Sequence, residues 1–124
     1  SLRKHYKEPF ANRGILDFSE LESYAEKLID KYDIRSAQGI KTSLRSMSGG
    51  NQQKAIIARE IEEHANLIIF VQPTRGLDIG AIEYVHNRIL AEREKGVAIL
   101  LISLELDEIM NLADTIGRLQ KHLL

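Results

Sequence analysis

The fold is decided by one stretch of the chain, Leu67-Ile68-Ile69-Phe70-Val71-Gln72-Pro73-Thr74-Arg75-Gly76-Leu77-Asp78. Its first five residues form an unbroken apolar run of strand length that is rich in β-branched side chains. Such a run fits a strand that is buried on both faces, as in a parallel sheet. The remaining seven residues contain a proline and a glycine, and they predict a turn at the carboxyl end of that strand.

A second strand is predicted downstream of this turn, after an intervening helix. Residues 81–95 follow the apolar period of a helix, and Gly96 stands where a left-handed glycine commonly ends one. The apolar run 97–102 then has the length and composition of another buried strand. Strand, helix and strand in this order form a parallel βαβ unit. A short helix over residues 105–112 follows, and residues 116–119 are predicted as a weak last strand.

The chain upstream of the first strand is predicted to be helical. Ser19 and Glu22 match a capping box, in which two side chains satisfy free backbone N–H groups at a helix start, and the apolar rhythm that follows ends near Tyr32. A second helix is predicted over residues 51–64. Residues 1–18 are interpreted as a loosely packed N-terminal segment with turns.

Composition excludes several classes of protein. The 124 residues suffice for one domain, and the net charge of −1 gives no strong field that would attract nucleic acid or an anionic membrane. The absence of cysteine excludes disulfides, thiolate catalysis and cysteine-bound zinc. The four histidines lack the spacing of metal ligands, so no metal site is predicted. The apolar runs are too short to span a membrane.

The sharpest short motif is Ser48-Gly49-Gly50, which opens the second predicted helix. Glycines let a ligand approach the backbone closely, and the free N–H groups and positive dipole end of a helix favour an anion such as phosphate. An ordinary serine cap with a glycine hinge explains the same residues without a ligand, and these three residues alone favour that explanation. Asp78 likewise has two possible roles. It either caps the third helix or lies at the strand edge where ligands of parallel sheets bind.

Three segments taken together resemble the ATP-binding proteins of ABC transporters. Ser-Gly-Gly-Asn-Gln-Gln at residues 48–53 is similar to the family's signature motif, residues 67–78 are similar to its Walker B strand and D-loop, and residues 101–105 are similar to its switch region. The resemblance covers about residues 17–116, with the motifs in the family's order. It leans towards the second ATP-binding half of importers for simple sugars and nucleosides.

The resemblance implies a fold of the α/β class, namely part of the P-loop NTPase fold of ABC ATPases. Residues 1–124 would form a partial ATPase domain. Its helical subdomain, with the signature motif, would cover about residues 15–65. A parallel βαβ portion, from the Walker B strand to the switch region, would cover about residues 66–120.

The chain departs from the family pattern at the positions that carry the chemistry. No G-x-x-x-x-G-K-[ST] loop, which cradles the phosphates of ATP, occurs in the 124 residues. Val71 takes the place of the family's Walker B aspartate and cannot serve as a ligand of Mg²⁺. Gln72 takes the place of the catalytic glutamate, and an amide cannot act as a general base. Leu104 takes the place of the switch histidine.

In the family, two ATP-binding halves sandwich ATP, and the signature motif of one half contacts the nucleotide held by the other. The resemblance therefore implies that this chain completes a site on a partner half, while the catalytic positions on its own side are degenerate. It implies ATP and Mg²⁺ as cofactors of the full-length transporter, and we expect the chain alone to bind no ATP and to be inactive. The implied nucleotide-binding residues are Ser48, Gly49, Gly50, Asn51, Gln52 and Asp78.

The implied partners are a second ATP-binding half, transmembrane permease subunits and, indirectly, a substrate-binding protein, with no nucleic acid. A homodimer of the chain itself is also expected to be possible, because half of a sheet leaves apolar surface uncovered. The implied location is the cytoplasmic side of the cell membrane, as a peripheral subunit.

Two alternatives stay open at this point. In the first, the chain belongs to a fully competent ATPase whose other motifs lie upstream, and Val71, Gln72 and Leu104 are tolerated in the catalytic positions. In the second, the chain is a helix-rich interaction or adaptor module that binds no nucleotide.

Overall fold

The computed structural model describes residues 6, 8–12 and 14–118. Two short antiparallel strands come first and are followed by an alternation of helices and longer strands. The elements are β1 (Ala11–Asn12), β2 (Ile15–Leu16), α1 (Phe18–Lys31), α2 (Gly49–Ile61), β3 (Leu67–Val71), α3 (Ile79–Glu94), β4 (Ala98–Ile102) and α4 (Leu106–Leu112). Two single turns of 3₁₀ helix, at Gly39–Lys41 and Leu44–Ser46, connect α1 to α2.

Strands β3 and β4 pair in parallel, with α3 as the connection between them. The register runs from Leu67 opposite Ala98 to Val71 opposite Ile102, so both strands end at the same edge of the sheet. Gly96, just beyond α3, has a φ of +85°. The predicted βαβ unit and its left-handed glycine are confirmed.

Only one face of this sheet is covered within the described residues. Ile68 and Phe70 point into the core, whereas Leu67, Ile69 and Val71 are 55%, 55% and 63% exposed. The three residues that pair with the exposed ones on β4 are exposed as well, so six apolar side chains form what we call the bare sheet face: Leu67, Ile69, Val71, Ala98, Leu100 and Ile102. The prediction that β3 is buried on both faces is therefore wrong for this part of the chain.

The core lies between the covered face of the sheet and the helices. Its buried members lie just after α1 and in α2, β3, α3 and α4, and partly buried side chains of β4 pack against them. These members are Tyr32, Ile34, Ile57, Ala58, Ile61, Ile68, Phe70, Val85, Ile89 and Leu112. Burial of such side chains is the dominant favourable contribution to folding. Helix α2, which begins with the signature-like segment, is thereby packed into the same core as the βαβ unit.

The start of α1 differs from the prediction. The N-cap is Asp17, whose side chain accepts a hydrogen bond from the backbone N–H of Glu20 at 3.1 Å, and Ser19 lies inside the helix. The predicted Ser19–Glu22 capping box is wrong because an aspartate two residues earlier already caps the first turn. The segment before it is also more ordered than predicted, since β1 pairs with β2 and the buried Phe10 packs edge-on against Tyr24.

Other predicted boundaries shift by a few residues. Helix α2 begins at Gly49 and ends at Ile61, earlier than predicted at both ends, because Ser48 caps it directly and His64 already has a left-handed φ of +51°. Residues 116–118 form no strand, and Leu119 of the predicted last strand lies outside the described residues.

Asp17 offers a simple test of the start of α1. Asp17→Ala is expected to lower the free energy of unfolding by about 1 kcal/mol, because the N–H of Glu20 loses its acceptor. Asp17→Asn, which retains a capping oxygen, is expected to remain close to wild type. Urea unfolding followed by circular dichroism measures both, and equal stability of the alanine and asparagine variants would contradict the assigned cap.

Candidate functional site

Ser48 lies at the N-terminus of α2 as its cap. Its Oγ accepts hydrogen bonds from the backbone N–H of Asn51, at 3.4 Å, and from the Asn51 side-chain amide, at 2.9 Å. The Asn51 side-chain oxygen in turn accepts from the backbone N–H of Arg35 at 2.8 Å. Ser48 caps the helix, as the sequence allowed, and the residue is nevertheless exposed to solvent.

The two glycines that follow have different surroundings. A Cβ on Gly50 would lie 3.0 Å from the Cβ of Ala81 and 3.8 Å from a carboxylate oxygen of Asp78. A Cβ on Gly49 would meet only a methyl of Leu77, at 3.9 Å. Gly50 is therefore explained by the close approach of α2 to the start of α3, whereas Gly49 is exposed.

Asp78 is the N-cap of α3. Its Oδ1 accepts a hydrogen bond from the N–H of Ala81 at 2.9 Å, which confirms the capping role considered for it from the sequence. Because Gly50 approaches both Asp78 and Ala81, the N-termini of α2 and α3 meet at this point. The structure thus brings the signature-like segment and the D-loop-like segment together.

Val71, Gln72 and Leu104 lie at or just beyond the carboxyl edge of the sheet. Val71 is the last residue of β3 and pairs with Ile102 of β4. Leu104 lies two residues after Ile102 and is 85% exposed. The N–H of Gln72 continues the strand ladder with a hydrogen bond to the carbonyl of Ile102 at 2.8 Å, and its φ is +50°. The backbone therefore turns sharply at the position where the sequence predicted a ligand-binding edge.

Three further contacts in this region were not found from the sequence. The side-chain amide of Gln52 donates to the carbonyl of Met47 at 2.9 Å, and that of Gln53 donates to the carbonyl of Pro73 at 2.7 Å. The ammonium of Lys54 lies 2.8 Å from both the carbonyl and a carboxylate oxygen of Asp33, and it holds the pKa of that carboxyl below its usual value. The ammonium of Lys54 is thus paired with Asp33 of the same chain.

A buried carboxylate lies behind the turn. Thr74 donates its hydroxyl to Oε1 of Glu108 at 2.8 Å, and Nε2 of His86 lies 3.2 Å from the same oxygen. Glu108 is only 3% exposed, and its other oxygen has no hydrogen-bond partner among the described residues. The signal in the sequence was its spacing, since Glu108 lies four residues before the buried Leu112 and therefore on the inner face of α4.

The amino-acid sequence of the chain is similar to those of known transport proteins. The chain is 52% identical over 117 residues to the nucleoside import ATP-binding protein NupA of Lactococcus lactis, and 50% identical over 116 residues to the guanosine import ATP-binding protein NupO of Bacillus subtilis. The chain belongs to the ATP-binding proteins of ABC transporters. No protein-family model matches the chain.

The alignments cover most of this chain but little of its relatives. They include 94% of this chain, and 23% of NupA and 22% of NupO. A ribose import ATP-binding protein, RbsA of Corynebacterium glutamicum, is 39% identical over 86% of the chain. The chain therefore spans less than a quarter of the length of these ABC-transporter relatives.

Solved structures confirm the predicted fold class. A dimer of the ATP-binding cassette MJ0796, bound to ADP and Pi in a post-hydrolysis state, matches with a TM-score of 0.62 and 21% identity, over 81% of this chain and 43% of that one. The cassette MJ1267 in its ADP conformation matches with a TM-score of 0.61 and 22% identity, over 88% of this chain and 40% of that one. The α/β arrangement is thus part of the ABC ATPase fold.

The described residues of this ABC-family chain contain neither a membrane-spanning helix nor a metal cluster. Among them, no helix combines the length and the apolarity needed to cross a membrane. Nor do three or more His, Asp or Glu side chains in residues 6, 8–12 and 14–118 converge as a metal site would require. His5 and His122 fall outside the described part of the chain.

Proposed function

We propose that this chain is part of the ATP-binding subunit of an ABC importer for nucleosides or simple sugars, and that its signature segment completes a nucleotide site on a second ATP-binding half. The supporting observation is Ser48-Gly49-Gly50, exposed or half-buried, at the N-terminus of the 13-residue helix α2. Unsatisfied N–H groups and the positive dipole end of such a helix suit a phosphate of ATP. NupA and NupO suggest the importer class by their names.

In this proposal the chain's own catalytic side is degenerate. Val71 cannot bind Mg²⁺, the amide of Gln72 cannot take a proton from water, and Leu104 has no imidazole. The cofactors of the full-length transporter are ATP and Mg²⁺. The residues present here fit the contact with the nucleotide across the interface, namely Ser48, Gly49, Gly50, Asn51, Gln52 and Asp78. Gln52 and Asp78 support it through the hydrogen bonds that hold the two helix starts.

The proposed assembly follows from the same family. Its partners are a second ATP-binding half, permease subunits in the membrane and, through them, a substrate-binding protein, and it lies on the cytoplasmic side of the membrane. Residues of about 15–65 act as the helical subdomain and those of about 66–120 as the α/β portion. The bare sheet face is where further parts of the ATPase core pack. Association of two copies through that face is the competing outcome for the isolated chain.

The test is a charge change at Ser48 that preserves the helix cap. Ser48→Asp keeps a capping oxygen, but its carboxylate repels a phosphate, so ATP-driven transport by the full-length transporter is expected to fall at least about tenfold. Ser46→Asp is the matched control, because Ser46 is exposed two residues earlier and its hydroxyl donates to the carbonyl of Ser43 within its own turn. Ser46→Asp is expected to leave transport unchanged.

Transport assays in vesicles, together with ATP binding to the assembled transporter, separate the possibilities. Unchanged transport and unchanged ATP binding in Ser48→Asp would contradict the proposal and favour the adaptor module instead. Equal losses in both aspartate variants would show that added negative charge, and not its location at the helix start, is responsible.

A further inference from the structure

The turn after β3 is held by hydrogen bonds from three different elements. The N–H of Gln72 bonds to the carbonyl of Ile102 on β4, at 2.8 Å. The next residue, Pro73, accepts from the side chain of Gln53 on α2, and Thr74 donates to Glu108 on α4. Three consecutive residues of the turn are therefore each tied to a separate part of the fold.

This arrangement supports an uncommon backbone conformation. Gln72 has a φ of +50°, a left-handed value that costs energy for a residue other than glycine and persists only when its surroundings hold it. Inside the turn, the N–H of Arg75 bonds to the carbonyl of Gln72 at 3.2 Å and that of Leu77 to the carbonyl of Thr74 at 3.1 Å. These two backbone bonds report whether the turn is closed.

Gln53 is the member of this set that reaches the turn from the signature helix. It lies five residues after Ser48 on the same α-helix, so a displacement of the helix start moves its amide as well. Its hydrogen bond to Pro73 is 2.7 Å long and half-buried, which favours a fixed geometry. Arg59, on the same helix, donates to its neighbour Glu60 at 2.7 Å and therefore offers a natural comparison.

We infer that Gln53 is a positioning residue that links nucleotide contact at Ser48 to the conformation of the Gln72 turn in the same chain. When Ser48 engages a nucleotide held by the partner half, α2 is fixed in place, and Gln53 fixes the carbonyl of Pro73 with it. Glu108 of α4 accepts a hydrogen bond from Thr74, so α4 holds the same turn from its other side. This inference rests on the proposed function.

The experiment measures closure of the turn in the full-length ATP-binding subunit, assembled with its second half. Hydrogen exchange at the N–H groups of Arg75 and Leu77 is followed with and without a non-hydrolysable ATP analogue and Mg²⁺. In the wild type the analogue is expected to slow this exchange about tenfold. Gln53→Met, which keeps the volume but removes the donor, is expected to abolish the slowing while the affinity for the analogue changes less than about threefold.

Two further variants distinguish positioning from general loosening. Gln53→Lys replaces the amide donor by an ammonium donor and is expected to restore most of the slowing. Arg59→Met removes a donor on the same helix that pairs with its neighbour Glu60 instead of the turn, and it is expected to behave as the wild type.

The outcomes are distinct. Retention of the slowing in Gln53→Met, or its absence in a wild type whose analogue binding depends on Ser48, would overturn the role of Gln53 and leave the proposed function intact. Analogue binding that is unaffected by Ser48→Asp would instead remove the proposed function, and this inference with it.

Discussion

Changing Val71→Asp, Gln72→Glu and Leu104→His together in the full-length ATP-binding subunit is expected to raise ATP hydrolysis on this chain's own side by about 10²- to 10⁴-fold. The aspartate supplies a ligand for Mg²⁺, the glutamate a general base and the histidine a donor near the transferred phosphate. All three positions lie at or just beyond the carboxyl edge of the sheet, the location at which polar side chains of parallel sheets meet their ligands. Single-turnover hydrolysis, with the partner's own site inactivated, measures the gain.

Partial replacements provide the controls for this experiment. Val71→Asp alone adds a metal ligand without a base, and it is expected to tighten Mg²⁺–nucleotide binding with little gain in rate. The native subunit must also be measured. If it already hydrolyses ATP equally at both sites, the chain's own side is not degenerate, and the competent-ATPase alternative is correct.

The largest expected effect on stability is at Tyr32. Tyr32→Ala is expected to lower the free energy of unfolding by about 3–5 kcal/mol, because this side chain is 1% exposed at the centre of the core cluster. Its hydroxyl also donates to Glu62 at 2.8 Å, and the guanidinium of Arg88 lies 4.8 Å from the centre of its ring. The side chain therefore joins α1, α2 and α3.

The hydroxyl and the ring of Tyr32 can be tested separately. Burial, followed by the hydrogen bond to Glu62, raises the pKa of the Tyr32 phenol above its ordinary value, so the group stays protonated and can donate at neutral pH. Tyr32→Phe keeps the ring and is expected to cost only about 1–2 kcal/mol. Phe18→Ala, at a site that is 70% exposed, is expected to cost less than about 0.5 kcal/mol.

Urea unfolding of the chain and its variants measures these differences. If Tyr32→Ala were no less stable than Phe18→Ala, the core would not be organised around Tyr32. If Tyr32→Phe were as unstable as Tyr32→Ala, the hydrogen bond to Glu62, and not the ring, would be the main contribution.

The βαβ unit was predictable from the sequence because local patterns determine it. The run from Leu67 to Val71 is confirmed as β3 at both ends, and Gly96 ends the helix region as expected. The alternation of burial along β3 was not predictable, since a run in which every residue is apolar does not show which face will be covered. The start of α1 was misplaced because Asp17 and Ser19 are both good caps, and only tertiary structure decides between them.

The candidate site also has features that the sequence predicts and features that it does not. The positions of Ser48 and Asp78 at helix starts follow from short-range signals. The Gln53–Pro73 bond and the Thr74–Glu108 bond join residues 20 and 34 positions apart. Such contacts depend on how elements pack, and no pattern within a window of helical or strand length contains them.

The close approach of α2 and α3 has a consequence for how this chain can diverge. Gly50 and Ala81 share one small volume, because a methyl group on Gly50 would lie 3.0 Å from the methyl of Ala81. Growth at either position demands shrinkage at the other, so the two sites can vary only as a pair. Homologous chains that carry alanine at position 50 should therefore carry glycine at position 81, or separate the two helices and with them the two motifs that they begin.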